Sequence, residues 1–121
     1  MAEKAKIKVQ IDAEKLCKHT LKITSNLKNF PKKYRFTLVD KVVRLTLDIH
    51  DNICDANNSF NKDERIYYIQ RGISCCRKLD MYIRLVKEVL KPKCSISYWG
   101  DMVSNIVSQL ENWKKYTKNK K

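Results

Sequence analysis

A chain of 121 residues has the size of one compact domain, and a hydrophobic fraction of 43% suffices for one buried core, while only two glycines and two prolines argue against the many tight turns of an all-β fold. Lys and Arg number 26 against 13 Asp and Glu, a formal net charge of +13 at pH 7. Such a chain repels itself and favours an acidic partner: a nucleic-acid backbone gains from counterion release, and an anionic membrane surface or an acidic protein could also serve.

Residues 1–11 carry a charge every few positions and no continuous apolar stretch, so they read as a flexible basic start and not as a signal peptide or anchor. Asp12 can then cap a first helix, with Glu14 near its positive end. Leu16, Thr20, Ile23, Leu27 and Phe30 recur at steps of four and three, the signature of one helical face. The helix is expected to stop before Pro31, because a residue preceding proline is pushed out of the helical region.

Pro31 suits the first turn of a second helix, whose buried stripe is Leu38, Val42, Leu45, Ile49, Ile53 and Ala56. Turn chemistry at Ala56-Asn57-Asn58-Ser59 ends it. Asn61 with Glu64 three residues on forms a capping pattern for a third helix, which carries Ile66, Ile69, Ile73, Cys76, Ile83 and Leu90, with Leu79, Tyr82 and Val86 widening the face, and ends near Lys91-Pro92. Ser95 or Ser97 can cap a fourth helix, where Ile96, Trp99, Val103, Ile106, Leu110 and Trp113 give the cleanest periodicity of the chain. The second and third helices are each expected to run to roughly 40 Å. Short connections force consecutive helices to run antiparallel, so the fold class is all-α, an up-down-up-down four-helix bundle over residues 12–113, followed by a fraying basic tail over 114–121.

No catalytic site is expected. His50 and Cys54 lie four apart with Asp51 and Asp55 beside them, but simple packing explains a half-buried helical Cys better than metal does. His19 and His50 are the only histidines, neither has an evident third partner, and the isolated Gly72 and Gly100 form no phosphate loop. Neither metal nor cofactor nor small-molecule substrate is therefore expected. The five cysteines lack the spacing of a disulfide framework and fit a reducing compartment; with no stretch of ~20 apolar residues, a soluble cytoplasmic protein is expected.

The charged residues carry the stronger signal. Lys32, Lys33 and Arg35 crowd the start of the second helix, at the positive end of its dipole, where an external anion and not local pairing would account for them. Arg77, Arg84 and Lys91 recur every seven residues on the third helix with Lys87 beside them, although Asp80 could neutralise part of this ridge. Lys114 and Lys115, with Lys118, Lys120 and Lys121, make a basic end interleaved with Trp113 and Tyr116; helical spacing favours Trp113 as core over Trp113 as a base-stacking platform. Asp48, Asp51 and Asp55 form an acidic stripe that either pairs internally, for instance Arg44 with Asp48, or meets a neighbouring subunit. With no recognition-helix or RNA-motif signature, backbone contact with little base readout is expected.

Phe30-Pro31-Lys32, the Leu79-x-x-Tyr82-Ile83-Arg84-Leu85 run, Lys91-Pro92 and Leu110-x-x-Trp113 resemble, as an ensemble, the accessory variability determinant proteins of diversity-generating retroelements. The resemblance implies a pentameric barrel of four-helix bundles, a homopentamer without catalytic activity. It further implies binding of nucleic acid, RNA ahead of DNA, and of the element's reverse transcriptase, supporting mutagenic cDNA synthesis and retrohoming. Lys32, Arg84 and Trp113 match positions of that family. Glu111-Asn112 depart from it where a glycine often precedes the late tryptophan, as does Asp80 where a basic residue is typical. The four-helix proteins encoded within ribosomal-RNA intervening sequences are the alternative, alongside a purely structural oligomerisation module for an acidic protein.

Overall fold

The computed structural model describes residues 7–120, and within them the order is α1 (Lys8–Thr24), α2 (Asp40–Asn58), α3 (Lys62–Val89) and α4 (Ile96–Asn119). A 3-10 turn (Lys32–Tyr34) and a π-helical turn (Arg35–Val39) run directly into α2. No strand occurs among the described residues.

Cross-helix bonds fix the topology. Asn57 near the end of α2 donates to Gln10 near the start of α1, and the Cys17 thiol reaches the Thr46 carbonyl, so these helices run antiparallel. Lys114 reaches Gln70 and Arg77 reaches Glu111, which sets α4 antiparallel to α3. Arg71 and Arg65 donate from α3 to Asn52 and to the Ala56 carbonyl of α2. Asp12 of α1 accepts from Asn105 and Gln109 of α4 at 3.1 and 2.7 Å, closing the ring of four. The architecture is the expected up-down-up-down bundle.

The stripes read from the sequence make the core. Val42, Leu45, Ile49, Ile53 and Ala56 of α2, Ile69, Ile73, Cys76, Leu79, Ile83 and Val86 of α3, and Trp99, Val103, Ile106 and Leu110 of α4 are buried against Val9, Ala13 and Leu16 of α1. Leu38, Ile66, Ile96 and Trp113 are half-buried. Gly72 lets three helices approach: a Cβ there would lie 3.3 Å from Leu110 Cδ1 and 3.9 Å from Asn52 Cβ.

Several boundaries differ from expectation. The first helix begins at Lys8, inside the segment 1–11 assigned to a flexible start, because Val9 and Ala13 extend the buried stripe one turn earlier. Asp12 is therefore no cap: one turn inside the helix it accepts from Lys8 at 2.8 Å and bridges to α4. Residues 1–6 and 121 lie outside the described residues. Phe30 reaches the core, but α1 ends at Thr24 and leaves Leu27 53% exposed in the connection. Pro31 stands before the 3-10 turn and not in the first turn of α2. Since that turn and the π turn use up the residues before Asp40, α2 spans about 28 Å, whereas α3 spans about 42 Å. The residues 114–119, expected to fray, continue α4: Thr117 is buried and bonds the Trp113 carbonyl, and Lys114 is tied to Gln70.

The capping predictions hold for two helices. Asn61 accepts from the backbone of Asp63 and Glu64 at the start of α3, and Ser95 accepts from Tyr98 at the start of α4. Beyond the end of α3 at Val89, Lys91 adopts a positive φ of 46° directly before Pro92, and its N–H returns to the Val86 carbonyl at 3.3 Å.

One polar contact is set inside the apolar core. The Trp99 indole N–H donates to Thr20 Oγ1 at 3.0 Å with both residues fully buried. Thr46 Oγ1 lies 3.5 Å from the same oxygen, while its own hydroxyl bonds the Val42 carbonyl at 2.7 Å. Replacing Thr20 by Val keeps the shape and strands the indole donor. Urea denaturation of Thr20→Val is expected to show a loss of about 1–3 kcal/mol.

Candidate functional site

In this topology the α1–α2 and α3–α4 connections share one end of the bundle, and the Lys93 N–H bonds Asn29 Oδ1 across them at 3.0 Å. That end gathers cations. No acidic residue occurs between Glu14 and Asp40, a stretch containing Lys18, Lys22, Lys28, Lys32, Lys33 and Arg35. Opposite it, Arg84, Lys87, Lys91 and Lys93 are accompanied only by Glu88 between Asp80 and Asp101. Asp40 is taken up by Arg44 at 2.9 Å.

The expected binding residues divide into three groups. Lys32, Lys33 and Arg35 are exposed at this end and have no ion-pair partner among the described residues; Lys33 lies over the Tyr34 ring at 5.2 Å. Lys87 and Lys91 are exposed near the same end, also without a carboxylate partner there. Arg77 and Arg84 sit on the side of the bundle facing α4 and are paired, Arg77 with Glu111 at 3.1 Å and Arg84 with Asp80 at 3.6 Å. The regular ridge read along α3 is thus partly neutralised, through a helical neighbour and through α4. Lys114 and Lys115 lie at the opposite end, where Lys114 is bonded to Gln70 at 2.6 Å and Lys115 is exposed. The nine residues therefore do not form one surface. Trp113 is half-buried against the core, with the Arg65 guanidinium 5.9 Å from its ring.

The acidic stripe stays on the outside of α2. Asp48, Asp51 and Asp55 line a shallow depression with Tyr67, Tyr68 and Arg71. The internal pairing of Arg44 with Asp48 does not form, because Arg44 turns back to Asp40. Arg71 spends its donors on neutral groups, Asn52 Oδ1 at 3.2 Å and the Tyr67 hydroxyl at 3.0 Å. Asp51 Oδ1 lies 3.6 Å from His50 Nδ1.

Sequence reasoning missed a slot at the basic end. Leu21, Thr24, Ser25 and Leu27 from the end of α1 and its connection face Phe30, Lys32, Arg35 and Val39 across it. Phe30 is buried and stands edge-on to Trp99, with ring centroids 6.3 Å apart, while Leu21 and Leu27 are about half exposed. Phe36, in the π turn, is 86% exposed. The available signals were the acid-free stretch itself and one apolar residue, Phe36, placed where no helical stripe needed it.

Other reactive groups are quiet. Burial pushes the Cys17 thiol up to about 11, helped by Asp51 and Glu14, and the Cys76 thiol up to about 12, which keeps both protonated at neutral pH. The Cys54 sulfur lies 3.6 Å from His50 Nε2, and no three His, Cys, Asp or Glu side chains converge in metal-binding fashion among the described residues. No helix among them is long and apolar enough to cross a membrane. No protein-family model matches the chain, and no curated protein or solved structure shows significant similarity to it.

His19 sits beside this basic end. Its Nε2 is enclosed without a hydrogen-bond partner among the described residues, and its ring meets Tyr98 edge-on at 5.1 Å. Desolvation, then the nearby Lys22 charge, lowers its pKa below the usual imidazole value. The unfolded chain therefore binds this proton more readily than the folded one, and stability is lost as pH falls through about 6.5 toward the lower folded value. Denaturation midpoints measured between pH 8 and pH 5 are expected to decline on the acid side, and His19→Phe is expected to flatten that part of the decline.

Proposed function

We propose that this protein is a non-catalytic accessory factor that binds nucleic acid, RNA ahead of DNA, through the basic end of its bundle. The observation that carries the reading is the group Lys32, Lys33 and Arg35, held on a folded lead-in to α2 with no carboxylate in ion-pair reach among the described residues. Cations that neighbouring acids do not neutralise repel one another, and phosphates relieve that repulsion while releasing condensed counterions. Lys87 and Lys91 extend the same field, whereas Arg77 and Arg84 must first give up their carboxylates.

The resemblance to accessory variability determinant proteins supplies the biological setting of the proposal. There the protein partner is the reverse transcriptase of a diversity-generating retroelement, the setting is cytoplasmic, and the assembly is a homopentamer. The acidic stripe of Asp48, Asp51 and Asp55 supports an assembly, since three carboxylates stand along α2 without an Arg or Lys ion pair among the described residues. Under this reading the stripe meets cations of a neighbouring subunit.

Two measurements test the proposal. Fluorescence anisotropy of labelled RNA across a salt series is expected to show log affinity falling linearly with log salt, by roughly 0.7–0.9 per phosphate contacted. Lys32→Glu with Arg35→Glu should abolish most of the binding at low salt, and Arg77→Glu with Arg84→Glu should weaken it less; affinity that is flat with salt would defeat the polyanion reading. Light scattering is expected to give five times the 14.3 kDa protomer mass, with Asp51→Lys and Asp55→Lys shifting the population toward smaller species. A monomeric mass for the unaltered protein would end the assembly proposal without touching the first test.

A further inference from the structure

We infer that the slot at the basic end receives one unpaired base of a single-stranded nucleic acid, with the flanking phosphates on Lys32 and Arg35; this narrows the nucleic-acid reading above and rests on it. The slot encloses about 350 Å³. Leu21, Leu27 and Val39 form its walls and buried Phe30 its floor, with Lys32 and Arg35 exposed at the rim. An apolar recess bordered by cations suits a ligand with a flat, weakly hydrated body and a negative edge. A nucleotide has that form.

Charge on the two sides gives the ligand an orientation. On the α1 side, where Lys22 in the last turn offsets the helix dipole, the lining side chains are Leu21, Thr24, Ser25 and Leu27, none of them charged. Lys32 and Arg35 lie on the opposite side, in the turns leading into α2. The phosphates are therefore directed to the α2 side and the base to the apolar α1 side.

Hydrogen-bonding capacity inside the slot is small. Thr24 Oγ1 donates to the Thr20 carbonyl at 2.7 Å, and Ser25 Oγ donates to the Lys22 carbonyl at 2.7 Å. With both hydroxyl protons committed to the helix, the recess offers contact area more than a donor pattern, so base identity should matter little. One residue beyond Arg35, the exposed ring of Phe36 provides a face on which the next base can stack. A base pair in a duplex would have to open before its base could enter the recess, which gives single strands the advantage. A flat bilayer would not fill a recess whose apolar floor is buried.

The test is anisotropy with three probes of equal length: a uridine-rich single strand, a matched duplex, and a strand with the same phosphates but abasic sugars. The unaltered protein is expected to bind the intact strand about tenfold or more tightly than the abasic strand, and more tightly than the duplex. Leu27→Ala and Phe36→Ala, both at exposed positions, should shrink the ratio of intact to abasic affinity while leaving the salt slope unchanged; Phe36→Trp should restore it. Equal affinity for intact and abasic strands would overturn this inference and leave nucleic-acid binding standing. Failure to bind any of the three probes at low salt would instead remove the function on which it rests. Binding to phosphatidylserine vesicles that Leu27→Ala abolishes, with the strand ratio unchanged, would assign the slot to a membrane surface and overturn the inference.

Discussion

The arrangement at the basic end depends on a single hydrogen bond in a dry place, from the Trp99 indole to the Thr20 hydroxyl. A tryptophan contributes the largest fully buried side chain of the core, but its N–H must be satisfied or the gain is offset by desolvation. Thr20 meets that need from α1, and Thr46 brings α2 to the same point. Three helices are thereby held in register at one level. Phe30 packs edge-on to Trp99, so the chain leaving α1 is pulled back into the core at that residue. The recess between α1 and the lead-in to α2 is the space left by that return.

Charge is distributed according to local backbone geometry. On regular helices, a carboxylate three or four residues away can reach a cation, as Lys8 with Asp12, Arg44 with Asp40 and Arg84 with Asp80 show. These exposed pairs contribute little stability but remove net charge from the helix faces. The residues four beyond Lys32, Lys33 and Arg35 are Phe36, Thr37 and Val39, so no helical partner exists for them. The 3-10 and π turns also break the regular face on which such a partner would be expected. Excess positive charge collects where secondary structure is irregular, and irregular helical turns recur at functional positions.

The fold was legible because apolar spacing and capping chemistry are local. The alternation from Trp99 to Leu110 and the Asn61 cap could be read directly, and both stand in the structure. The path from Thr24 to Asp40 was not, since Leu27 fits the α1 stripe by spacing alone, and only the pull of Phe30 toward Trp99 shows that the helix has ended. Asp12 misled for the opposite reason. A favourable cap residue outweighed Val9, whose burial extends the helix past it. For the charged residues, sequence gave the excess but not its location, because the pairing of Arg77 with Glu111 joins positions far apart in the chain. Asp80 could be read as a partner for the heptad ridge along α3, whereas the Glu111 partner of Arg77 could not.

These observations divide the labour within a small chain. The outside of α2, beside Tyr67, Tyr68 and Arg71 of α3, carries the acidic stripe, while the far end concentrates cations above a floor of Phe30 and Trp99. Like charges crowded on a mobile loop would move apart and dilute their field. Here Lys32 and Arg35 cannot do so freely, because the turns that bear them continue into α2 and the Asn29–Lys93 bond ties the two connections together. Their repulsion is held in place by the burial energy of the core. Under the proposed function, a polyanion settling on this end would relieve repulsion already present in the free protein, and the electrostatic gain would require little rearrangement of the scaffold.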